Sequence, residues 1–173
     1  LFDAVALALP LVKEPKEKGL LERPPRDPKE RIANRLFFRK VGLVSLAMAV
    51  AGFVMYYHYG MPAFSSPVDE LLLTQAQTAV FATVILLHIC YLFTARSITE
   101  SAFTFSPFSN KWVLMGAAIT IVALLMIIYI PLFQILFRTA SFPAEWWILI
   151  ILLALPGFFV IEIEKFWKKK IVR

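Results

Sequence analysis

The sequence contains few of the residues on which soluble enzymes usually depend. Its 173 residues include one cysteine and two histidines, and only 17% of them are charged. One cysteine allows neither an intrachain disulfide nor a cysteine-based metal site. Soluble domains carry about 25% charged residues, so the low charge argues against a soluble domain. No phosphate-binding loop, catalytic triad or metal-ligand cluster is recognisable, and we predict no catalytic residue in this chain.

Apolar residues, in contrast, are abundant and occur in long runs. They make up 60% of the chain. A helix needs roughly 20 mostly apolar residues to cross lipid, because each residue rises about 1.5 Å and the hydrocarbon core is about 30 Å thick. We therefore predict an all-α fold, a polytopic membrane helix bundle made of the tail of one helix and four transmembrane helices. The four predicted spans cover residues 41–59, 71–94, 112–137 and 146–161.

The alternation of apolar and polar segments predicts how the chain is organised. Residues 1–12 are apolar but too short to cross a bilayer, and no basic residue precedes them as a secretory signal requires. We interpret them as the end of a transmembrane helix whose beginning is missing, which predicts a C-terminal fragment of a longer polypeptide. Residues 13–40 form a basic, proline-rich loop, residues 41–167 the four-helix domain and residues 168–173 a basic tail.

The distribution of lysine and arginine predicts the topology. Ten of these residues lie in 13–40, two in 95–111 and five in 162–173, whereas 60–70 has none and 138–145 has one. Cytoplasmic loops are enriched in Lys and Arg, so the C-terminus is predicted to be cytoplasmic in a multi-pass protein of the plasma (inner) membrane. Because the basic residues lie between apolar runs and not on a globular face, we predict no nucleic-acid partner.

Two ionisable residues lie deep in apolar runs, where charge is costly and often functional. His88 lies in the second span, and a period of about 100° per residue places it on one face with Gln77 and Tyr91. Such a face predicts contact with protein or water, either for interhelical hydrogen bonding or as a ligand- or proton-binding position. Asp3 is interpreted either as an ion ligand or proton carrier, or as a group close to the outer water.

Three prolines interrupt the apolar runs. Proline removes a backbone donor and kinks a helix. We predict packing kinks at Pro131 and Pro156. For Pro10 a role in an ion site stays open, because broken helices often line such sites in transporters.

The most specific motif is the run Arg23-Pro24-Pro25-Arg26 in the first basic loop. It resembles a motif of the type II P-type cation-transporting ATPases, the family of calcium and sodium/potassium pumps, in the cytoplasmic loop after the sixth membrane helix. Nearly the whole chain is similar to the C-terminal transmembrane domain of that family in the order and spacing of its features. The further matching runs are Ala95-Arg96-Ser97, Tyr129-Ile130-Pro131-Leu132 and Glu162-Ile163-Glu164-Lys165.

The resemblance implies identities for the helices and for an ion-binding site. Residues 1–12 would end the sixth helix, and the four spans would be the seventh to tenth. Asp3 falls at, or one residue from, a metal-ligating Asp of calcium pumps. His88 matches the Glu or Gln ligand of the eighth helix, and Tyr91 lies one turn further. Because calcium prefers oxygen ligands, a histidine here favours a proton or a monovalent cation by comparison.

The resemblance also implies cofactors and partners. The parent enzyme would use Mg²⁺ and ATP to phosphorylate an Asp in a cytoplasmic domain, whereas this fragment would bind no cofactor of its own. Its partners would be the lipid bilayer, the remaining helices and cytoplasmic domains of the pump, and the transported cation. Two alternatives stay open: a free-standing four-helix scaffold or regulatory protein, and a fragment of a secondary transporter. The second would usually contain an internal repeat, and none is recognisable.

Overall fold

Most of the residues that the structure describes are helical, which confirms the predicted fold class. A computed structural model describes residues 2–16, 33, 35–64, 67–97, 101–104 and 106–171, and these residues include no β-strand. Short 3-10 turns connect several of the α-helices. The α-helices are α1 (Phe2–Ala8), α2 (Arg35–Tyr59), α3 (Glu70–Ala95), α4 (Lys111–Tyr129), α5 (Pro131–Phe137), α6 (Trp146–Ala154) and α7 (Pro156–Ile171).

Four helical segments are long and apolar enough to cross a membrane. The second of them, α3, is the central helix of the bundle, because it packs against α1, α2, α4, α6 and α7. At the periphery, α2 carries a stripe of exposed large side chains spaced three or four residues apart, which suits contact with lipid. The four segments are Phe37–Tyr59, Glu70–Ala95, Lys111–Tyr129 and Trp146–Trp167. The exposed stripe of α2 consists of Leu46, Val50, Phe53 and Tyr57.

The third span is shorter than its sequence predicted. Apolar residues continue to Phe137, but α4 ends at Tyr129 and Pro131 begins the separate helix α5. Proline has no N–H to donate to the carbonyl of Ile127 four residues earlier. The hydroxyl of Thr139 donates to that carbonyl instead, at 2.7 Å. The carbonyl that Pro131 leaves without its helical partner thus accepts a hydrogen bond from a nearby residue.

The fourth span is interrupted at Pro156, as predicted. Helix α6 ends at Ala154 and α7 begins at Pro156, so the two form one kinked span. At the kink the helix lies directly on α3, because a methyl group on Gly157 would stand 2.5 Å from the carbonyl oxygen of Leu87. No side chain larger than hydrogen fits there without displacing α3.

The segment before the basic loop is helical and packs on α4. Helix α1 passes at Pro10 into a 3-10 turn, Leu9–Lys13. A methyl group on Gly116 of α4 would stand 2.3 Å from the carbonyl oxygen of Ala6, so the two backbones are in close contact. Asn110, which caps α4, also donates from Nδ2 to the carbonyl of Pro10 at 3.1 Å. The helix tail is thus an integral part of the bundle.

Candidate functional site

A small pocket lies between α1 and α3 and contains two of the predicted site residues. Its volume is about 220 Å³. His88 and Tyr91 are three residues apart on α3, hence on one face, and both are partly buried. The structure therefore brings this predicted pair together against the helix tail. The pocket is lined by Leu7, Ala8, Leu11, His88, Tyr91, Leu92 and Ala95.

The remaining part of the predicted polar face is more open. Gln77 is exposed, and Phe81 on the same face is 42% exposed. Asp3 belongs to α1 and lies four residues before Leu7, so one helical turn separates their backbones. The side chain of Asp3 is outside the part that the structure describes. Its predicted role as an ion ligand thus rests on its position in the chain.

Next to this pocket along the chain lies a polar cluster centred on Glu14. Arg96, whose side chain is 1% exposed, forms an ion pair with Glu14 at 2.6 Å. Asn110 donates to the second carboxylate oxygen of Glu14 at 2.7 Å. Arg96 also contacts the carbonyl of Ser106 and the hydroxyl of Ser109. One carboxylate therefore joins the end of the first helix tail to the end of α3 and the start of α4.

A second buried cluster lies at the same end of the bundle, on α7. Lys165 donates to the carbonyl of Thr94 at 2.8 Å and to Glu162 at 2.9 Å. Glu162 accepts from the hydroxyl of Ser101 and from the backbone N–H of Ala102. Neighbouring residues thus supply hydrogen-bond partners for both Lys165 and Glu162, as the burial of charged groups requires. These contacts join the last helix to α3 and to the connection between α3 and α4.

A third contact joins α7 to α2. Glu164 is buried and forms an ion pair with Arg39 at 3.6 Å. The ends of α1, α3 and α7 and the start of α2 and α4 are therefore gathered at one end of the bundle, which we call the basic end. It is defined by Glu14, Arg39, Arg96, Asn110, Glu162, Glu164 and Lys165.

Sequence reasoning missed most of the basic end. Arg96 and the run Glu162–Lys165 were noted only as parts of a family pattern, and the lysines of the tail only as topology markers. An Asn directly before an apolar helix is a usable signal for a cap, and Asn110 does accept from the N–H groups of Trp112 and Val113. The predicted loop motif, Arg23, Pro24, Pro25 and Arg26, lies outside the described residues.

The polar groups of the pocket can bind a ligand. Within the described ranges, no three His, Cys, Asp or Glu side chains converge as a protein-only metal centre would require. The pocket presents one imidazole and one phenol beside an apolar helix tail. Such groups can bind or exchange protons and supply part of a ligand set, while other helices would complete it.

Comparison with known proteins identifies the family. Residues 1–167 match the family model described as cation transporting ATPase, C-terminus. The chain is 32% identical over 152 residues to the probable cation-transporting ATPase F of Mycobacterium tuberculosis, covering 87% of this chain and 16% of that protein. It is 32% identical over 160 residues to the calcium-transporting ATPase of Bacillus subtilis, with the same two coverages. It is 27% identical over 160 residues to calcium-transporting ATPase type 2C member 2 of Mus musculus.

The match covers most of this chain but only a small part of each relative. The chain spans about 16% of the length of these relatives. The family model, in contrast, covers nearly the whole chain, from the helix tail through the four spans to Trp167. The chain therefore belongs to the family formed by the C-terminal domain of P-type cation-transporting ATPases.

Proposed function

We propose that this chain is the C-terminal membrane part of an ATP-driven cation pump and that α1 and α3 line part of its ion-binding site. The observation that carries the proposal is the packing of α1 against the face of α3 that holds His88 and Tyr91. Asp3 lies on that same short helix, and a carboxylate within an apolar helix is a typical cation ligand. The last two spans, α4 with α5 and α6 with α7, then act mainly as a scaffold for this site.

In this proposal the catalytic reaction takes place outside the chain. The whole protein uses Mg²⁺ and ATP to phosphorylate an aspartate of a cytoplasmic domain, and the membrane site changes its exposure in response. The basic end lies in the cytoplasm, in agreement with the excess of Lys and Arg in the segments that meet there. The host membrane in this proposal is the plasma (inner) membrane.

The cation itself has two candidate classes, each favoured by a different observation. The relatives from Bacillus subtilis and Mus musculus are named calcium-transporting ATPases, which makes Ca²⁺ the first ion to test. The presence of His88 beside Tyr91 favours a proton or a monovalent cation, because calcium binds hard oxygen ligands in preference to imidazole.

The proposal is tested by replacing Asp3 with Asn in the full-length protein. ATP hydrolysis by membrane vesicles is measured while Ca²⁺, Na⁺, K⁺ and pH are varied separately. We expect Asp3→Asn to abolish the stimulation by the transported ion, or to raise its half-saturating concentration at least about tenfold, since loss of one charged contact removes more than about 1.4 kcal/mol of binding.

A matched control is available on α3. Asp69 is exposed and caps α3 by accepting from the N–H of Leu72 at 2.9 Å. Asn is as good a cap as Asp, so Asp69→Asn is expected to leave the ion dependence unchanged. An Asp3→Asn variant with the same ion dependence as the unmodified pump would remove Asp3 from the site.

A further inference from the structure

Thr120 in α4 has a buried hydroxyl that forms no hydrogen bond with the described residues. The residue is 3% exposed, and its Oγ1 has no hydrogen-bond partner among the residues that the structure describes. A buried hydroxyl in a helix normally donates to a backbone carbonyl one turn earlier. The described threonines of α3 follow this rule: Thr74 donates to Glu70, Thr78 to Thr74, Thr83 to Ala79 and Thr94 to Tyr91.

The face of α4 that carries Thr120 is the face in contact with α1. Gly116 lies one turn before Thr120, and it is the residue whose backbone touches Ala6. The two helices run in opposite directions, because Asn110 bonds to Pro10 near the start of α4 while Gly116 meets Ala6 further along. Thr120 therefore continues the line of contact away from the basic end.

The same line on α1 leads to Asp3. Residues 3 and 6 follow the i, i+3 spacing of one helical face. Asp3 stands three residues beyond Ala6, and Thr120 stands four residues beyond Gly116. At about 1.5 Å per residue these offsets are about 4.5 Å and about 6 Å from a shared crossing point, in the same direction. The backbones of Asp3 and Thr120 thus reach nearly the same depth in the membrane.

We propose that the Thr120 hydroxyl is an oxygen ligand of the cation that Asp3 binds. This inference rests on the proposed function and adds the helix α4 to the ion site. A threonine hydroxyl offers a neutral oxygen with two lone pairs, which complements the negative charge of a carboxylate around a hard cation. Binding a cation also explains why the Thr120 hydroxyl is buried on the side of α4 that faces α1 and takes no part in the hydrogen bonding of α4.

A set of α4 variants in the full-length protein tests the inference. Thr120→Val keeps the shape of the side chain and removes the oxygen, and Thr120→Ser keeps the oxygen. Vesicle ATP hydrolysis is titrated separately with Ca²⁺, Na⁺, K⁺ and protons. We expect Thr120→Val to raise the half-saturating concentration of the stimulating ion about tenfold, and Thr120→Ser to change it less than about twofold.

Thr83→Val is the matched control, because Thr83 is equally buried but its hydroxyl is bonded to Ala79. We expect this variant to retain the ion affinity of the unmodified protein. Should Thr120→Val not accumulate in the membrane, Thr120→Cys replaces the oxygen with a softer atom of similar size and is expected to show the same loss.

The possible results separate this inference from the proposed function. An unchanged ion affinity in Thr120→Val, together with a loss in Asp3→Asn, would overturn the role of Thr120 alone. Unchanged affinity in both variants would overturn the proposed ion site itself. Equal losses in Thr120→Val and Thr83→Val would also overturn the inference, since the effect would then follow from any buried threonine.

Discussion

The two ends of the bundle are held together by different chemistry. At the basic end, ion pairs and side-chain hydrogen bonds join five helices, as in the Glu14–Arg96 pair at 2.6 Å and the bond from Asn110 to Glu14. At the opposite end, which we call the aromatic end, ring contacts predominate. Tyr59 of α2 stacks on Trp146 of α6 with ring centroids 3.8 Å apart, and Trp147 donates to the hydroxyl of Tyr129 at 2.8 Å.

The difference teaches how each end defines the position of its helices. An ion pair with hydrogen bonds on both partners is directional, and removing one partner leaves the other as an uncompensated charge with little solvent around it. A stack of rings tolerates small displacements, because each contact is worth only about 0.5–1.5 kcal/mol beyond its burial. We infer that the basic end determines the register of α1 on α3 and α4, whereas the aromatic end permits adjustment.

Of the variants that test this comparison, Arg96→Met should have the largest effect on the free energy of unfolding. The variant leaves the Glu14 carboxylate without its guanidinium in a junction where the Arg96 side chain is 1% exposed. We expect the free energy of unfolding to fall by about 3 kcal/mol. The measurement is the thermal-unfolding midpoint of the purified full-length protein.

A double variant checks the cause of that loss. Glu14→Leu combined with Arg96→Met removes both charges, and most of the stability should return because no charge is left unpaired. If the single variant costs less than about 1 kcal/mol, the pair behaves like an exposed surface ion pair and the basic end is not the stronger junction.

The existence of the spans could be predicted from sequence, whereas the junctions could not. A run of 20 apolar residues is a local property, and so is the period that placed His88 and Tyr91 on one face. The ion pairs of the basic end join residues far apart in the chain, and counting Lys and Arg treats each as a solvated charge. A kink at Pro131 was predicted, but the span was expected to continue to Phe137, because apolar residues continue past the proline.

The candidate site divides in the same way. The face of α3 was predicted because it lies on one helix, and its contact with the helix tail was implied only by the family resemblance. Thr120 gave no sequence signal, because threonine is common in membrane helices and usually bonds to its own backbone. Its significance depends on the absence of that bond among the described residues and on the crossing at Gly116.

At the aromatic end, replacing Trp146 with Leu should have a smaller effect. Trp146 is buried and stacks on both Tyr59 and Phe142. Leu keeps an apolar side chain but loses both ring contacts, so we expect a loss of about 1–2 kcal/mol in the free energy of unfolding. Trp167, which is 65% exposed, is the matched control, and Trp167→Leu should leave stability unchanged. A loss larger than that of Arg96→Met would reverse the ranking of the two ends.

The smallest expected effect is a gain of stability at Arg138, just after α5. Arg138 ends that helix in the left-handed conformation, with φ of 53°. This conformation costs a non-glycine residue about 1–2 kcal/mol, a cost that glycine avoids. Part of that gain is offset, because glycine has more conformational freedom to lose when the chain folds. We therefore expect Arg138→Gly to raise the free energy of unfolding by about 0.5 kcal/mol, whereas Arg138→Lys should not change it. A less stable glycine variant would mean that the guanidinium stabilises the turn, and then charge would contribute to both ends of the bundle.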